Sequence, residues 1–313
     1  MERLTSDLPV PPHLRGAVVA LGNFDGFHRG HQAVVARARA IALAEKRPLI
    51  VATFSPHPSR IFNPDAPFFR LTTLEQRARL FAKAGADAAY VFRFDRTLAG
   101  ISAEEFIAGW LIERIGAAVA VTGEDFTFGK GRSGSVETLI LRGAEYGLRA
   151  ESVGPVSDGE GVISSSRIRE ALQHGDCETA TMLLTRPFTI EGVVAHGDKL
   201  GRTIGYPTAN IELERYLRPA YGIYAVRGVL ADGSILDGVA NLGIRPTFDP
   251  PKELLEPHFF DFSGDLYGQD IEVQLIHYLR AEAKFDGLDA LVAAIDADCE
   301  AAKRVLAAIP PVA

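Results

Sequence analysis

The sequence is short of cysteine, of long apolar runs and of positive charge, and each shortage argues against a class of protein. Two of its 313 residues are cysteines, Cys177 and Cys299, which argues against a disulfide framework and fits a reducing compartment. No apolar run approaches the roughly 18–20 residues of a membrane span, and the opening residues have no signal-peptide core. The net charge of −7 argues against broad binding of a nucleic-acid backbone. We therefore predict a cytoplasmic protein that binds neither membranes nor nucleic acids.

Two patterns of secondary structure divide the chain, whose length suits about two domains. The first part alternates apolar strands with helical segments, which predicts a doubly wound, Rossmann-like α/β domain over 1–186. From 187 to 313, short strands precede a helix at 288–308, which predicts a small antiparallel β-barrel with a terminal helix. The expected strands lie at 17–21, 49–54, 88–92 and 117–121 in the first domain and at 189–195, 222–229, 235–241, 258–262 and 271–279 in the second.

The segment 22–31 joins the first apolar strand to a helical segment and is rich in glycine and histidine. Ligands of parallel sheets bind at such turns, where glycines let the backbone approach and a helix N-terminus attracts anions. His28 and His31 add two imidazoles there, which suggests a nucleoside triphosphate held by its phosphates. Two alternatives need no nucleotide. The histidines cap a helix or lie on the surface, or they form a zinc site, for which only His57 is near in sequence.

Taken as a whole, segment 22–31 resembles the G-x-F-D-G-x-H-x-G-H signature of the nucleotidyltransferase superfamily. The resemblance implies that His28 and His31 contact the phosphates of ATP and stabilise charge as pyrophosphate leaves. It also implies ATP binding by other residues of the segment, namely Gly22, Asn23, Phe24, Asp25 and Gly30.

A second phosphate-binding candidate is the segment 163–169, which places three serines and a fixed cation at an expected helix start. The alternative is a serine N-cap followed by surface arginines. The segment resembles the I-S-S-T-x-I-R segment of the same nucleotidyltransferases. That resemblance implies that Ser164, Ser165 and Arg167 hold the β- and γ-phosphates of ATP, with Arg167 in a catalytic role.

Two further turns follow predicted strands and therefore lie at the ligand edge of the sheet. His57 lies between two prolines, and the alternative is a turn shaped by those prolines alone. Asp125 offers a polar contact, and Phe126 or Phe128 offers a stacking surface unless the ring belongs to the core. The neighbouring segment 129–134 matches G-x-G-x-x-G by letter, but it does not directly follow a strand and is a weak dinucleotide signal.

In the second part, the polar segment 197–210 is rich in glycine. Its backbone N–H groups suit phosphates, with Gly197, Lys199 and Gly201 as candidates, and the alternative is an ordinary loop. The end of the segment resembles the P-T-A-N signature of riboflavin kinases. The resemblance implies that Thr208 and Asn210 serve Mg²⁺ and ATP, and oxygen ligands suit that hard cation.

Glu256 is the candidate general base of the second part. By itself it would be a routine surface carboxylate at the start of a strand. The segment 256–262 resembles the E-x-H-x-x-D-F segment of riboflavin kinases, and 238–248 resembles another segment of that family. The resemblance implies that Glu256 takes the proton from the ribityl 5′-hydroxyl as that oxygen attacks the γ-phosphate.

These motifs occur in order over residues 15–307, and together they resemble the bacterial bifunctional riboflavin kinase/FAD synthetases. The resemblance implies phosphorylation of riboflavin to FMN by the second domain and adenylylation of FMN to FAD by the first, each with ATP and Mg²⁺. It also implies flavin contacts, which we assign to His57, Asp125, Phe126, Phe128 and Arg280. The expected partners are these small molecules, and an oligomer is compatible with the sequence.

Three rival functions are weighed against this one. The first is an adenylyltransferase for another small phosphate such as phosphopantetheine, against which the kinase-like second part argues. The second is an NAD-dependent oxidoreductase, which rests only on segment 129–134. The third is a regulatory or storage protein that binds flavin without catalysis, against which His28, His31 and Glu256 argue.

Overall fold

A computed structural model describes residues 1–65, 67, 69–195, 206–245 and 252–311. The described residues group into two compact units. The first comprises Met1–Pro67 and Thr72–Ser164, and the second comprises Phe68–Leu71 and Ser165–Ala313. The predicted domain boundary between 186 and 187 stays a prediction. In the division by compact units, residues 165–186 group with the second unit.

The first unit is an α/β structure with a six-stranded sheet. Its strands are β1 (Glu2–Thr5), β2 (Val18–Leu21), β3 (Leu49–Ser55), β4 (Ala88–Arg93), β5 (Val119–Gly123) and β6 (Arg149–Val153), and a separate ribbon is formed by β7 (Ser157–Asp158) and β8 (Gly161–Val162). Its helices are α1 (Arg29–Glu45), α2 (Pro58–Phe62), α3 (Leu74–Lys83), α4 (Arg96–Gly100), α5 (Ala103–Glu105), which continues as a π-helix over Phe106–Ile115, and α6 (Val136–Glu145).

All neighbouring strands of the large sheet run parallel, in the order β1-β4-β3-β2-β5-β6. The strand β2 and most of β3 are buried, as apolar strands covered on both faces should be. One face packs on the π-helix through Ile107 and Leu111, and the other packs on α1 through Val35 and Ile41. The predicted doubly wound fold is therefore confirmed.

The strand order reverses direction between β2 and β5, because β3 and β4 follow on one side and β6 on the other. At such a point the connections leave a crevice outside the carboxyl ends of the strands, and ligands of this fold bind there. Seven residues, 22–28, separate the end of β2 from the start of α1 at this position in the sheet. The fold therefore presents segment 22–31 where a nucleotide is expected.

The second unit is an antiparallel β-structure with helices. Its elements are α7 (Ser165–Gln173), α8 (Cys177–Leu184), β9 (Phe188–Val193), β10 (Ile211–Glu212), β11 (Gly222–Val229), β12 (Ile235–Arg245), β13 (Lys252–Phe259), β14 (Asp270–Arg280) and α9 (Leu288–Ala308). The sheet order is β10-β13-β12-β11-β14-β9, with antiparallel pairing throughout. The two edges approach each other where the Ala195 N–H donates to the Asn210 carbonyl over 2.8 Å. The predicted small barrel is confirmed, and α9 spans the predicted residues.

The helix α9 covers the sheet of the second unit, where Ala302 and Leu306 pack with Ala225 and Ile276. The predicted strand at 258–262 is misplaced, since β13 begins at Lys252 and ends at Phe259. Among the helices in the described ranges, none combines the length and apolar composition that a membrane crossing requires.

Candidate active sites

The loop between β2 and α1 has an unusual backbone. Phe24, Gly26 and Phe27 have φ values of 50°, 83° and 45°, in the left-handed region that non-glycine residues rarely adopt. The side chains of both phenylalanines are buried, and their rings contact the Phe81 ring of α3 with centroids 5.7 and 5.3 Å away. Aromatic packing beneath the loop therefore holds this backbone conformation in place.

The two histidines of the loop lie together at the start of α1. His28 is the N-cap residue and is buried, and His31 follows one turn later on the same side of the helix. Their rings stack with centroids 3.6 Å apart and an angle of 22° between planes. Gly30 lies between the two histidines in the sequence, and a Cβ atom at this residue would lie 3.1 Å from His28 Cε1. Two imidazoles and the backbone N–H groups of a helix start thus share one location, which suits phosphate groups.

A hydrogen-bonded link to Thr72 shapes the middle of the loop. Asp25 Oδ1 accepts from the Thr72 N–H over 3.1 Å and from the Thr72 hydroxyl over 3.2 Å. The Gly26 N–H donates to the same hydroxyl oxygen over 2.9 Å. Asp25 is buried, so its carboxylate helps to hold the loop. Its predicted contact with ATP stays a prediction.

Along the chain, the serine-rich segment 163–169 spans the point where the first unit ends and the second begins. The Ile163 carbonyl oxygen would lie 3.4 Å from a Cβ atom at Gly30, so the chain before Ser164 approaches the start of α1. Ser165 begins α7 in the second unit, and Arg167 lies in the first turn of that helix. The phosphate-binding roles of Ser164, Ser165 and Arg167 stay predictions.

The residues that were assigned to flavin in the first unit have different surroundings. His57 caps α2 by accepting from the Ser59 N–H over 3.3 Å. Asp125 is exposed, Phe126 is half-buried, and Phe128 is buried in the core. The Phe126 and Phe128 rings stack with centroids 5.7 Å apart, so only Phe126 leaves part of its ring open to a ligand. All four flavin contacts stay predictions.

Packing explains two of the three glycines of segment 129–134. A Cβ atom at Gly129 would lie 2.7 Å from the Ala103 backbone nitrogen, and one at Gly134 would lie 2.8 Å from the Phe128 ring. The Phe128 N–H and carbonyl both pair with Gly134 across this turn. The letter match to a dinucleotide fingerprint therefore coincides with a tight turn against α5.

The second site lies on neighbouring strands of the second unit. Glu256 on β13 is directly opposite Asn241 on β12, which places both side chains on one face of the sheet. The Glu256 carboxylate is mostly buried and forms an ion pair with Arg245, whose Nη1 is also 3.5 Å from Glu282 Oε1. Asn241 Oδ1 is buried, and in the described part of the chain it has no hydrogen-bond partner. A half-buried, charge-paired glutamate departs from the alternative of a routine surface carboxylate.

The P-T-A-N segment reaches the same strand. The Ala209 N–H donates to the Pro257 carbonyl over 2.9 Å, and His258 Nδ1 lies 2.9 Å from the Pro207 carbonyl oxygen. Asn210 is buried, and Thr208 is half-buried beside it. The backbone therefore brings the candidate Mg²⁺ ligands next to the strand that carries Glu256. The phosphate-binding candidates Gly197, Lys199 and Gly201 lie outside the described residues.

Arg280 is bound within the protein by Asp298 of α9. Its Nε and Nη2 donate to the two carboxylate oxygens over 2.8 and 2.6 Å, and Asp298 is buried. The hydrogen bond to Asp298 raises the pKa of the guanidinium. This bidentate pair fastens α9 to β14, and the assigned flavin contact of Arg280 stays a prediction.

Sequence reasoning did not assign roles to Thr72 and Arg77, which support the histidine loop. Arg77 lies between Leu74 and Phe81 on the face of α3 that the apolar residues define, and its side chain is buried. A charged residue on the apolar face of a helix was the signal that this arginine has a specific partner. For Thr72 the sequence carries no comparable signal.

Two family models match successive parts of the chain. Residues 10–167 match the family model described as FAD synthetase, and residues 184–306 match the one described as riboflavin kinase. A bifunctional riboflavin kinase/FMN adenylyltransferase of Escherichia coli K12 is 40% identical over 283 residues, 90% of each chain. The chain belongs to the bifunctional riboflavin kinase/FMN adenylyltransferase family.

Other members of the family and one crystal structure show how widely the likeness extends. The family member of Bacillus subtilis is 39% identical over 92% of each chain. A Streptococcus pneumoniae protein, named a macrolide-efflux protein, has 34% identity and a TM-score of 0.86 over 97% of this chain and 99% of its own. The resemblance found in the motifs is confirmed.

Proposed function

We propose that this protein converts riboflavin to FMN in the second unit and FMN to FAD in the first, with ATP as the donor in both reactions. The observation that carries the proposal is the presence of two chemically different clusters, one centred on the histidines of the first unit and one on the glutamate of the second. The first has stacked imidazoles at a helix start and no carboxylate among its assigned reacting groups. The second has a half-buried, charge-paired glutamate beside the P-T-A-N segment. The first arrangement suits anion stabilisation, and the second suits proton removal.

In adenylyl transfer, an FMN phosphate oxygen attacks the α-phosphorus of ATP, and the bond to the leaving pyrophosphate breaks. The attacking oxygen is already anionic, so the reaction requires no general base. His28, His31 and the N–H groups at the start of α1 would bind the phosphate oxygens on which negative charge develops. Gly30 leaves the space in which the phosphates approach the His28 ring.

In phosphoryl transfer, the ribityl 5′-hydroxyl of riboflavin attacks the γ-phosphorus of ATP, and ADP leaves. Glu256 would accept the hydroxyl proton, and its pairing with Arg245 orients the carboxylate. Thr208 and Asn210 offer hydroxyl and amide oxygens, which fit Mg²⁺, and the cation would neutralise phosphate charge. The requirement for Mg²⁺ and the cytoplasmic location remain predictions.

The test is a time course of products, separated by chromatography, after purified protein is mixed with riboflavin, ATP and Mg²⁺. We expect FMN to appear first and FAD to follow. FMN that never converts would reject the function of the first unit. FAD that forms only from added FMN would reject the function of the second. Bound flavin with no product would favour a binding protein.

A further inference from the structure

Three polar groups meet behind the histidine loop of the first unit. The Asn23 carbonyl accepts hydrogen bonds from the Thr53 hydroxyl and from Arg77 Nη1, each over 2.8 Å. The same Arg77 nitrogen also donates to the Thr53 hydroxyl oxygen over 2.8 Å. Thr53 is 1% exposed and Arg77 is 6% exposed, so the cluster is shielded from water. A guanidinium from α3 and a hydroxyl from β3 therefore hold one loop carbonyl together.

The position of that carbonyl determines where the histidines lie. Asn23 directly precedes Phe24, the first residue of the loop with a left-handed backbone, a conformation that is unfavourable for a residue other than glycine. The Phe24 ring contacts the His31 ring edge to face, with centroids 5.3 Å apart. A shift of the Asn23 carbonyl is thus transmitted through Phe24 to His31.

The cluster also orients the side-chain oxygen of Asn23, which is a hydrogen-bond acceptor. Asn23 Oδ1 is shielded from solvent, and within the described ranges it has no hydrogen-bond partner. Buried acceptors are normally satisfied, so an open one beside a phosphate-binding loop suits a donor on the substrate. The contacts that fix the Asn23 backbone fix the direction of this amide as well.

We propose that Thr53 and Arg77 are positioning residues for adenylyl transfer, which act by holding the Asn23 carbonyl and, through it, the loop that carries His28 and His31. The inference rests on the proposed function of the first unit. Neither residue is required to touch ATP or FMN. Both matter because groups that stabilise a transition state must be held in place before the reaction, and a misplacement of about 1 Å costs up to about 100-fold in rate.

The decisive variants are Thr53→Val, which keeps the shape of the side chain and removes the hydroxyl, and Thr53→Ser, which keeps the hydroxyl. We expect Thr53→Val to lower kcat for FAD formation by about 10- to 100-fold while KM for FMN changes by less than about twofold. Thr53→Ser should restore most of the rate. FMN formation by the second unit of the same molecule reports whether the protein is intact.

Arg77→Lys provides a second and independent variant, because it keeps the charge and changes the geometry of donation. Arg79→Lys, on the exposed side of the same helix, is its matched control. If both residues act through the Asn23 carbonyl, the Thr53→Val/Arg77→Lys double variant should lose little more than the worse single variant.

Three results would overturn the inference. Wild-type kcat in both Thr53→Val and Arg77→Lys would reject it and leave the proposed function standing. Equal loss of FMN and FAD formation, or losses that multiply in the double variant, would assign the residues a merely structural role. Wild-type protein that forms no FAD from FMN would reject the proposed function of the first unit, and this inference with it.

Discussion

The imidazole rings of His28 and His31 stack with centroids 3.6 Å apart, although the residues are three positions apart at the start of a helix. The spacing places them one turn apart, and Gly30 leaves room for the His28 ring to turn toward its partner. The two rings therefore form one surface beside the N–H groups of the helix start, which in the proposed adenylyl transfer would contact the same phosphates. A change to either ring should alter both contacts with the phosphates.

The first prediction concerns His31→Ala. Removing this ring should lower FAD formation by about 100-fold or more, because charge developing on the phosphates loses a stabilising donor. FMN formation should stay within about twofold of wild type, since the second unit folds around its own core. The measurement is the initial rate of each reaction in the same preparation. His13→Ala, an exposed histidine of the same unit, is the control, and parallel loss of both activities would contradict the two-site arrangement.

The second prediction concerns Gly30→Ala. The added Cβ would lie 3.1 Å from His28 Cε1 and 3.4 Å from the Ile163 carbonyl oxygen, so the His28 ring must shift by a few tenths of an ångström. Alanine favours the helix, so thermal stability should hold or rise slightly, while FAD formation should fall by about 10-fold or more. Gly109→Ala is the matched control, since a Cβ there meets no atom within 4 Å. Unchanged FAD formation would show that the stacked geometry is not needed.

In the sheet of the first unit, central strands could be predicted from the sequence, whereas the edge strands could not. Strands β2 and β3 were predicted because burial on both faces demands unbroken apolar runs. The edge strands β1 and β6 were not predicted, because they carry Glu2, Arg3, Arg149 and Glu151 and lack such a run.

Proline and distance along the chain account for the other errors. Strand β13 was placed too late because Pro257 argues against a strand interior, whereas the structure pairs that residue with Ala240.

The histidine pair was found because its two residues are close together in the sequence. The contacts of Thr72 and Arg77 with the loop span about 50 positions, and no local pattern encodes which carbonyl a buried arginine will meet.

The third prediction concerns Glu256→Gln. The amide cannot accept the hydroxyl proton, so FMN formation should fall by about 10²- to 10⁴-fold, while FAD formation from added FMN should continue. The control is Glu253→Gln on the same strand, where the carboxylate also has an arginine partner, Arg218. Both variants lose an ion pair, but only Glu256 is assigned to catalysis. Equal losses in the two variants would show that the ion pair, and not the base, is what the reaction needs.

The fourth prediction concerns stability. Arg227 is 2% exposed, and it donates to Asp237 over 2.9 Å and to the carbonyls of Leu306 and Ile309 at the end of α9 over 2.9 and 2.5 Å. Arg227→Met would leave these acceptors without their donor, at a cost of about 2–4 kcal/mol. FMN formation should lose heat resistance while FAD formation keeps it. Arg304→Met, on the exposed side of α9, should change neither, and equal loss of both activities would contradict the prediction.

The fifth prediction concerns how the contribution of Glu253 to stability depends on pH. Burial alone would raise the pKa of Glu253, but hydrogen bonds from Arg218 and Tyr221 outweigh it and hold the pKa below its ordinary value of 4.5. A lowered pKa in the folded state stabilises the protein above the unfolded pKa, and this contribution is lost as the pH falls through the folded value. The gap in melting temperature between wild type and Glu253→Gln should therefore be widest near neutral pH and should shrink below pH 4.5.

Titration of Tyr221 tests its contact with Glu253 independently. Burial, together with its hydrogen bond to Glu253, raises the pKa of this tyrosine to about 12. Replacing the carboxylate by an uncharged amide removes the negative charge of Glu253, which also raises this pKa, and weakens the hydrogen bond, so the phenol of Tyr221 in Glu253→Gln should ionise at lower pH in an ultraviolet titration. A melting-temperature gap that persists at low pH, together with an unchanged tyrosine titration, would mean that Glu253 stabilises the strand by packing and not by charge.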